Sequence, residues 1–243
     1  MKNIETKLEK KVIYQEADYL SEYKISHLLS QMADLATINA VEIGMWNDSL
    51  KGKYGWILTK QTLKLKRPIM IEEDMTMTTR AKGGSRVQFT RTYDIICQNE
   101  TIGGICSLWT LIDLENRRII KPQSIGINIP EIEDYKSYVE KYEPVLTEIE
   151  TKKVGQRQVL YNDVDANLHM NNAKYIEWAL DLLPYSLHQQ YYIEQLSMHY
   201  KKEMAPLTMV ELYYGQQGDQ FKVEFQVNQQ VCFDLSGKLK RRN

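Results

Sequence analysis

The chain has 243 residues, a length that accommodates one large domain or two domains of about 120 residues each. Hydrophobic residues make up 43% and charged residues 26%, which is typical of a globular protein and excludes extended disorder. The 31 basic and 32 acidic residues give a formal net charge of -1, so the overall balance indicates neither nucleic-acid binding nor attachment to an anionic membrane.

The amino terminus lacks the apolar core of a signal peptide, and no run approaches the roughly 18 apolar residues of a membrane span. We therefore expect a cytoplasmic protein. The three cysteines, Cys97, Cys106 and Cys232, form no C-x-x-C pair, and the four histidines are scattered. This pattern favours neither a disulfide framework nor a metal site, so we expect no cofactor.

The first half opens with a short strand-like run, followed by a helical pattern over residues 25–45 in which apolar residues recur at steps of three and four. Ser26 is the expected N-cap of this helix. Alternating apolar and polar residues then predict strands at residues 55–65, 75–80, 86–97 and 101–114.

Residues 126–152 are rich in acidic residues and interrupted by prolines, which predicts a linker with one short helix at residues 132–142. A second unit starts at residue 153 with a strand at 154–161. An amphipathic helix over residues 171–183 follows and stops at Pro184. Further strands are predicted at residues 192–202, 207–214, 220–227 and 230–235.

The two halves share one order of elements, a strand, a long helix and then antiparallel strands, which indicates an internal duplication. This order predicts an α+β fold in which each helix is wrapped by a curved sheet. We therefore divide the chain into an N-terminal domain at 1–125, a linker at 126–152 and a C-terminal domain at 153–243. Strict βαβ alternation is absent, as are G-x-G-x-x-G, Walker A and G-x-S-x-G motifs.

Polar residues are densest just before the second helix, where Asp165, Asn167 and His169 are spaced by two. In an extended stretch, residues at this spacing project to one side, so a carboxylate, an amide and an imidazole could converge. Free N–H groups at the start of the helix would add a site for a developing oxyanion. The alternative is structural, because Asp and Asn before a helix are often caps and turn formers.

This segment closely resembles the active-site segment of the acyl-ACP (acyl carrier protein) thioesterases of plant plastids and bacteria. The matching string is Asp165-x-Asn167-x-His169-x-Asn171-Asn172-x-Lys174-Tyr175, with Trp178 three residues further on. Two other segments also resemble the family, namely Gly55-Trp56-Ile57, and Ser107-x-Trp109 followed by Arg117-Arg118. The resemblance runs from about residue 8 to residue 236, and it implies a tandem double hotdog in one chain.

The resemblance also adds Glu203 to the catalytic set of Asp165, Asn167 and His169. Met204 stands where plant members carry a cysteine, and a thioether cannot act as a nucleophile. We expect Glu203, helped by His169, to activate water, while Asn167 orients the water or the thioester carbonyl and Asp165 positions its neighbours. Covalent attack by Asp165, with an anhydride intermediate, is the open alternative.

Matching Ser26 to Asn171 as helix starts places Lys24 opposite His169, Glu22 opposite Asn167 and Leu20 opposite Asp165. The first half then lacks the catalytic residues, which predicts a single active site in the second domain. The first domain is expected to shape the acyl pocket. Its candidate lining residues are Met32, Leu35, Trp56 and Ile57.

The expected reaction converts fatty acyl-ACP and water into free fatty acid and holo-ACP. ACP is acidic, so we expect a basic docking face. The candidates are Arg117, Arg118, Lys121, Lys152, Lys153, Lys201, Lys202, Lys238, Lys240, Arg241 and Arg242. The nearest alternative is an acyl-CoA thioesterase, followed by a 3-hydroxyacyl-ACP dehydratase and a catalytically silent acyl-binding module. Monomer and homodimer both stay open.

Overall fold

The fold is described from a computed structural model for residues 5–129 and 135–242. These residues contain three α-helices, α1 (Ile25–Glu42), α2 (Asn172–Asp181) and α3 (Tyr185–Gln190). They also contain eleven strands, which are β1 (Glu5–Lys11), β2 (Tyr54–Leu65), β3 (Asp74–Gly84), β4 (Phe89–Cys97), β5 (Glu100–Asp113), β6 (Arg118–Ile119), β7 (Lys152–Gln158), β8 (Tyr191–Tyr200), β9 (Met209–Gln217), β10 (Gln220–Val227) and β11 (Gln230–Arg241).

The strands form one antiparallel sheet in the order β1-β3-β4-β5-β2-β8-β11-β10-β9-β7, with β6 paired to β5. The first half contributes β1-β3-β4-β5-β2. Taken from the opposite edge, the second half contributes β7-β9-β10-β11-β8, which is the same order of equivalent strands. The α+β class is confirmed, and the matching order agrees with the internal duplication.

The two halves meet where β2 pairs with β8, with Lys60 opposite His199 and Lys64 opposite Gln195. The buried side chains of this seam, among them Leu63 and Leu196, belong to a hydrophobic core shared by both halves. Helix α1 buries Leu28, Leu29, Met32, Leu35 and Ala36 against the sheet, and α2 buries Tyr175, Ile176 and Ala179. Helical periodicity therefore places both helices on one core.

The described residues 135–146 of the segment between the halves cross the other face of the sheet. Their backbone N–H groups donate to side chains of the sheet, from Tyr138 to Asp94 Oδ1 at 2.7 Å and from Leu146 to Ser236 Oγ at 3.0 Å. The expected helix at residues 132–142 is wrong for its described part, because residues 135–142 form no helix. Residues 132–134 of that prediction lie outside the described residues.

The helix boundaries correct two details of the predictions. Helix α1 begins at Ile25, but its N-cap is Lys24, and Ser26 is buried in the first turn. Backbone contacts fix this start, since the Lys24 N–H donates to the Glu16 carbonyl at 2.9 Å. Pro184 does follow the end of α2, but it is also the N-cap of α3, a short helix that the sequence pattern did not predict.

Candidate active site

Residues 165–169 form a tight turn in front of α2, where we had expected an extended stretch. Val164 and Met170 pair in an antiparallel bridge at its base. The Asp165 N–H donates to the His169 carbonyl at 2.9 Å, and the Leu168 N–H donates to the Asp165 carbonyl at 3.1 Å. Leu168 has a φ of 61°, the left-handed conformation that closes the turn.

A second segment, just after β8, lies beside this turn. The Met170 N–H donates to the Met204 carbonyl at 2.8 Å, which fixes the two backbones side by side. Next to this contact, His169 Nε2 lies 3.4 Å from Glu203 Oε2. The sequence-predicted imidazole and carboxylate are therefore neighbours, at a separation slightly longer than the roughly 2.6–3.2 Å of a direct hydrogen bond.

Arg117, from the turn after β5 in the first half, reaches the same carboxylate, and its Nη2 donates to Glu203 Oε2. Within the described residues, Glu203 Oε1 accepts no hydrogen bond. The side chains of Arg117, Glu203 and His169 are 53%, 32% and 32% exposed, so water has access to all three. The site thus combines groups from both halves of the chain.

The turn also carries Asn167, whose exposed side-chain amide makes no hydrogen bond within the described residues. Asp165 Oδ1 accepts from the Asn167 N–H at 2.8 Å, which is the pattern of a turn-forming aspartate. Asn171 caps α2, because its Oδ1 accepts from the Ala173 N–H at 2.9 Å. The Lys174 N–H donates to the Asn171 carbonyl, so these two N–H groups of α2 are already bonded.

Tyr175, which the sequence analysis had placed in the family string, packs against Tyr200, which it had not named, with ring centroids 5.5 Å apart. Tyr175 is buried beneath Met204, and burial raises the pKa of its phenol, with the nearby Glu203 and Asp165 carboxylates adding to the rise. The Tyr200 hydroxyl, whose pKa is also raised by burial, lies 3.4 Å from Gln61 Oε1. The helical period of α2 places Tyr175 on the inward face, and alternation along β8 would have predicted the same for Tyr200.

No cysteine takes part in this arrangement. Burial raises the pKa of the Cys97 and Cys106 thiols to about 12, and it also raises the pKa of the Cys232 thiol. Met204 is itself buried. In the described part of the chain, no group of three or more His, Cys, Asp or Glu side chains is arranged to hold a metal ion.

The first half contains a counterpart of the catalytic turn, in a register that differs from the expected one. The helices start after Lys24 and Asn171, so these two N-caps are equivalent. The sequence alignment through Ser26 was therefore wrong by two residues. In the corrected register Asp18 matches Asp165, Leu20 matches Asn167 and Glu22 matches His169.

The candidate pocket residues of the first half lie on different surfaces. Met32 and Leu35 are buried in the shared core, and Met32 Sδ accepts from Gln61 Nε2 at 3.1 Å. Trp56 packs on a smaller apolar cluster around the end of α1. Ile57 follows Trp56 on β2, and strand alternation turns it to the other face of the sheet.

A cavity of about 670 Å³ lies away from these groups, against the counterpart turn of the first half. Its apolar walls include Leu20, Ile25, Leu65, Leu183, Ile193 and Leu239. None of Asp165, Asn167, His169 and Glu203 lines it. We place the candidate site at the His169–Glu203 pair, because these two titratable side chains lie side by side on the two segments that the sequence analysis had singled out.

Many of the basic residues expected at a docking face are already in ion pairs. Lys153 pairs with Glu211 and Lys201 with Asp234. Among the described residues, no carboxylate lies within ion-pair distance of three others, the exposed Arg118, Lys121 and Lys152.

Family models match both halves of the chain. A model described as the acyl-ACP thioesterase N-terminal domain matches residues 4–124, and one described as the acyl-ACP thioesterase C-terminal domain matches residues 146–235. A chloroplastic palmitoyl-acyl carrier protein thioesterase of Arabidopsis thaliana is 27% identical over 169 residues. The alignment covers 61% of this chain and 38% of the plant protein, so the chain spans well under half of that relative.

Solved structures share the fold along the whole chain. A crystal structure of an acyl-ACP thioesterase from Bacteroides thetaiotaomicron has a TM-score of 0.87 at 22% identity and covers 97% of this chain and 98% of that chain. The 12:0-ACP thioesterase from Umbellularia californica has a TM-score of 0.83 at 14% identity, with coverage of 100% and 99%. In the described ranges, no helix has the length and apolar character needed to cross a membrane.

Proposed function

The chain belongs to the acyl-ACP thioesterase family, and from this premise we propose that it hydrolyses fatty acyl-ACP to free fatty acid and holo-ACP. The observation that carries the proposal is the approach of His169 Nε2 to Glu203 Oε2 at 3.4 Å, on a turn that water reaches. A thioester hydrolase requires a base that activates water, and this pair supplies one.

In the proposed reaction Glu203, assisted by His169, accepts a proton from a water molecule as its oxygen attacks the thioester carbonyl carbon. The tetrahedral intermediate then collapses, the C–S bond breaks, and the proton returns to the departing thiolate of the carrier. Asn167 is the proposed partner of the oxyanion, because its amide is unbonded within the described residues while N–H groups of α2 are engaged.

Arg117 is the proposed orienting group for Glu203. Since Arg117 occupies Oε2, the Oε1 atom stays available to water. The guanidinium also places a fixed positive charge beside the reacting groups, where it stabilises a developing oxyanion. In this proposal the first half contributes directly to a site whose base lies in the second half.

We further interpret the two halves as tandem hotdog domains, at residues 1–125 and 153–243 with the linker at 126–152. The repeated strand order and the two central helices support this interpretation. The second domain carries the chemistry, and the first domain shapes the space for the acyl chain, with Met32 and Leu35 of the shared core as the candidate lining residues.

The proposed docking face for the acidic carrier lies around Arg118 and Lys121, close in sequence to Arg117. Both residues are exposed, and neither forms an ion pair within the described residues. Long-range attraction to an acidic partner weakens as salt shortens the Debye length to about 8 Å at physiological ionic strength. Turnover of acyl-ACP should therefore fall with added salt more steeply than turnover of a small acyl thioester.

The test is thiol release from a panel of acyl-ACP and acyl-CoA substrates of increasing chain length. We expect rapid turnover of acyl-ACP, slow turnover of the matching acyl-CoA and one preferred chain length. Faster turnover of acyl-CoA would move the carrier assignment to CoA. Absence of hydrolysis with both carriers would contradict the proposed function and leave the fold unaffected.

A further inference from the structure

The turn before α1 and the turn before α2 have the same backbone structure, residue for residue. In the first half, the Asp18 N–H donates to the Glu22 carbonyl at 2.8 Å and the Ser21 N–H donates to the Asp18 carbonyl at 3.0 Å. The corresponding distances for Asp165 are 2.9 and 3.1 Å. Ser21 has a φ of 63°, close to the 61° of Leu168, its counterpart.

The aspartate side chains also act alike. Asp18 Oδ1 accepts from the Leu20 N–H at 2.8 Å, and Asp165 Oδ1 accepts from the Asn167 N–H at 2.8 Å. Asp18 Oδ1 accepts a second bond, from the Glu22 N–H at 3.0 Å. In both turns the carboxylate therefore holds the backbone amide two residues further along the chain.

The other chemical groups of the site are not shared. Leu20 stands in the place of Asn167, and Glu22 stands in the place of His169. The Tyr23 N–H donates to the Ile69 carbonyl just as the Met170 N–H donates to the Met204 carbonyl, which makes Pro68 the counterpart of Glu203. The first-half turn therefore lacks the imidazole, the amide and the neighbouring carboxylate base, but it still contains the aspartate, Asp18.

We infer that Asp165 is a positioning residue that builds the turn, and that it does not form a covalent bond to the acyl group. Its carboxylate holds the turn in the conformation that places Asn167 and His169 beside Glu203. Asp18 holds the first-half turn in the same conformation, although that turn carries neither an amide nor an imidazole. Water is then the nucleophile. Its oxygen bonds to the carbonyl carbon, its proton goes to Glu203, and the carrier thiolate leaves with the electron pair of the C–S bond.

This inference rests on the proposed hydrolysis, and substitution pairs at the two aspartates test it. An asparagine Oδ1 accepts the same N–H bond but cannot form an acyl anhydride. We expect kcat of Asp165→Asn to stay within about tenfold of the wild type, and kcat of Asp165→Ala to fall about 100-fold through misplacement of the turn. The matched controls, Asp18→Asn and Asp18→Ala, should leave kcat unchanged.

Thermal melting separates a folding defect from a chemical one. Each alanine variant should lower Tm by about 2–4 °C through loss of the N–H acceptor, and each asparagine variant should restore it. Intact-protein mass spectrometry after a rapid acid quench with excess acyl-ACP should show unmodified enzyme. A folded but inactive Asp165→Asn, or an acyl adduct on Asp165, would overturn the inference, whereas an inactive wild type would instead count against the proposed function.

Discussion

The two halves of the chain present the same turn with different side chains. One turn places Asp165, Asn167 and His169 beside Glu203, whereas the other places Asp18, Leu20 and Glu22 beside Pro68. Their backbone hydrogen bonds differ by 0.1 Å, comparing 2.8 with 2.9 Å and 3.0 with 3.1 Å. Backbone geometry alone therefore does not distinguish a candidate active site from its counterpart.

An arginine from the opposite half also reaches each region, although the two contacted carboxylates do not occupy equivalent positions. Arg117 of the first half bonds to Glu203, and Arg242 of the second half bonds to both carboxylate oxygens of Glu22, with Nη2 to Oε2 at 2.9 Å. In the Glu22–Arg242 pair the guanidinium bonds to both carboxylate oxygens, and its side chains are less exposed than those of the Glu203–Arg117 pair. In the second half the arginine leaves one carboxylate oxygen and an imidazole available for chemistry.

The largest effect is expected from the residue that has no acidic counterpart. Glu203→Gln removes the base and should lower kcat for acyl-ACP by about 10²–10⁴-fold. Pro68→Ala, the matched change in the first half, should leave kcat within about twofold, since no reacting group is touched. Steady-state thiol release measures both. Comparable losses in the two variants would contradict the division of roles between the halves.

A smaller effect is expected from the two arginines that cross between the halves. Arg117→Ala should lower kcat by about 10–100-fold, because Glu203 loses the contact that orients it. Arg117→Lys should recover only part of the rate, since an ammonium lacks the planar fork of a guanidinium.

Arg242→Ala is the comparison variant in the first half, where the arginine contacts Glu22, the counterpart of His169. It should leave kcat unchanged and lower Tm by about 2–4 °C, through loss of a partly buried pair worth about 1 kcal/mol. Differential scanning fluorimetry measures Tm, and thiol release measures kcat. A loss of rate in Arg242→Ala would mean that the first-half turn also affects the chemistry.

The smallest effect is expected from thiol alkylation of the folded protein. Burial holds the pKa of the thiols of Cys97 and Cys106 at about 12 and raises that of Cys232, so the reactive thiolate is scarce at neutral pH. Iodoacetamide at pH 7 should therefore leave kcat unchanged, with mass spectrometry confirming unmodified enzyme. Inactivation that tracks alkylation of one cysteine would restore a thiol mechanism.

The repeated order of elements could be predicted because alternation and helical periodicity are local signals. The strand from residue 86 illustrates the limit, since Arg91 interrupts the apolar face of β4 and is nevertheless buried among Asn39 and Thr79. The alignment of the halves failed for a related reason. Lys24 is an N-cap without a side-chain cap bond, and only the backbone contact to Glu16 marks it.

The string from Asp165 to Tyr175 supplied Asp165, Asn167 and His169 as candidates, and the resemblance of a second segment supplied Glu203; in the structure His169 Nε2 lies 3.4 Å from Glu203 Oε2. The contact of Arg117 with Glu203 joins residues 86 positions apart, so no local pattern predicts it. The sequence analysis had named Arg117 among the candidates for a basic docking face, because ACP is acidic. Arg117 follows β5 and Glu203 follows β8, and β2 pairs with both of these strands.

The central claim is that hydrolysis occurs at one of two equivalent turns, and a matched pair of substitutions tests it most directly. His169→Ala and Glu22→Ala change equivalent positions, and kcat for a long-chain acyl-ACP should be measured for both beside the wild type. The account predicts a loss of about 10²–10⁴-fold for His169→Ala and full activity for Glu22→Ala. Full activity of a folded His169→Ala would contradict it.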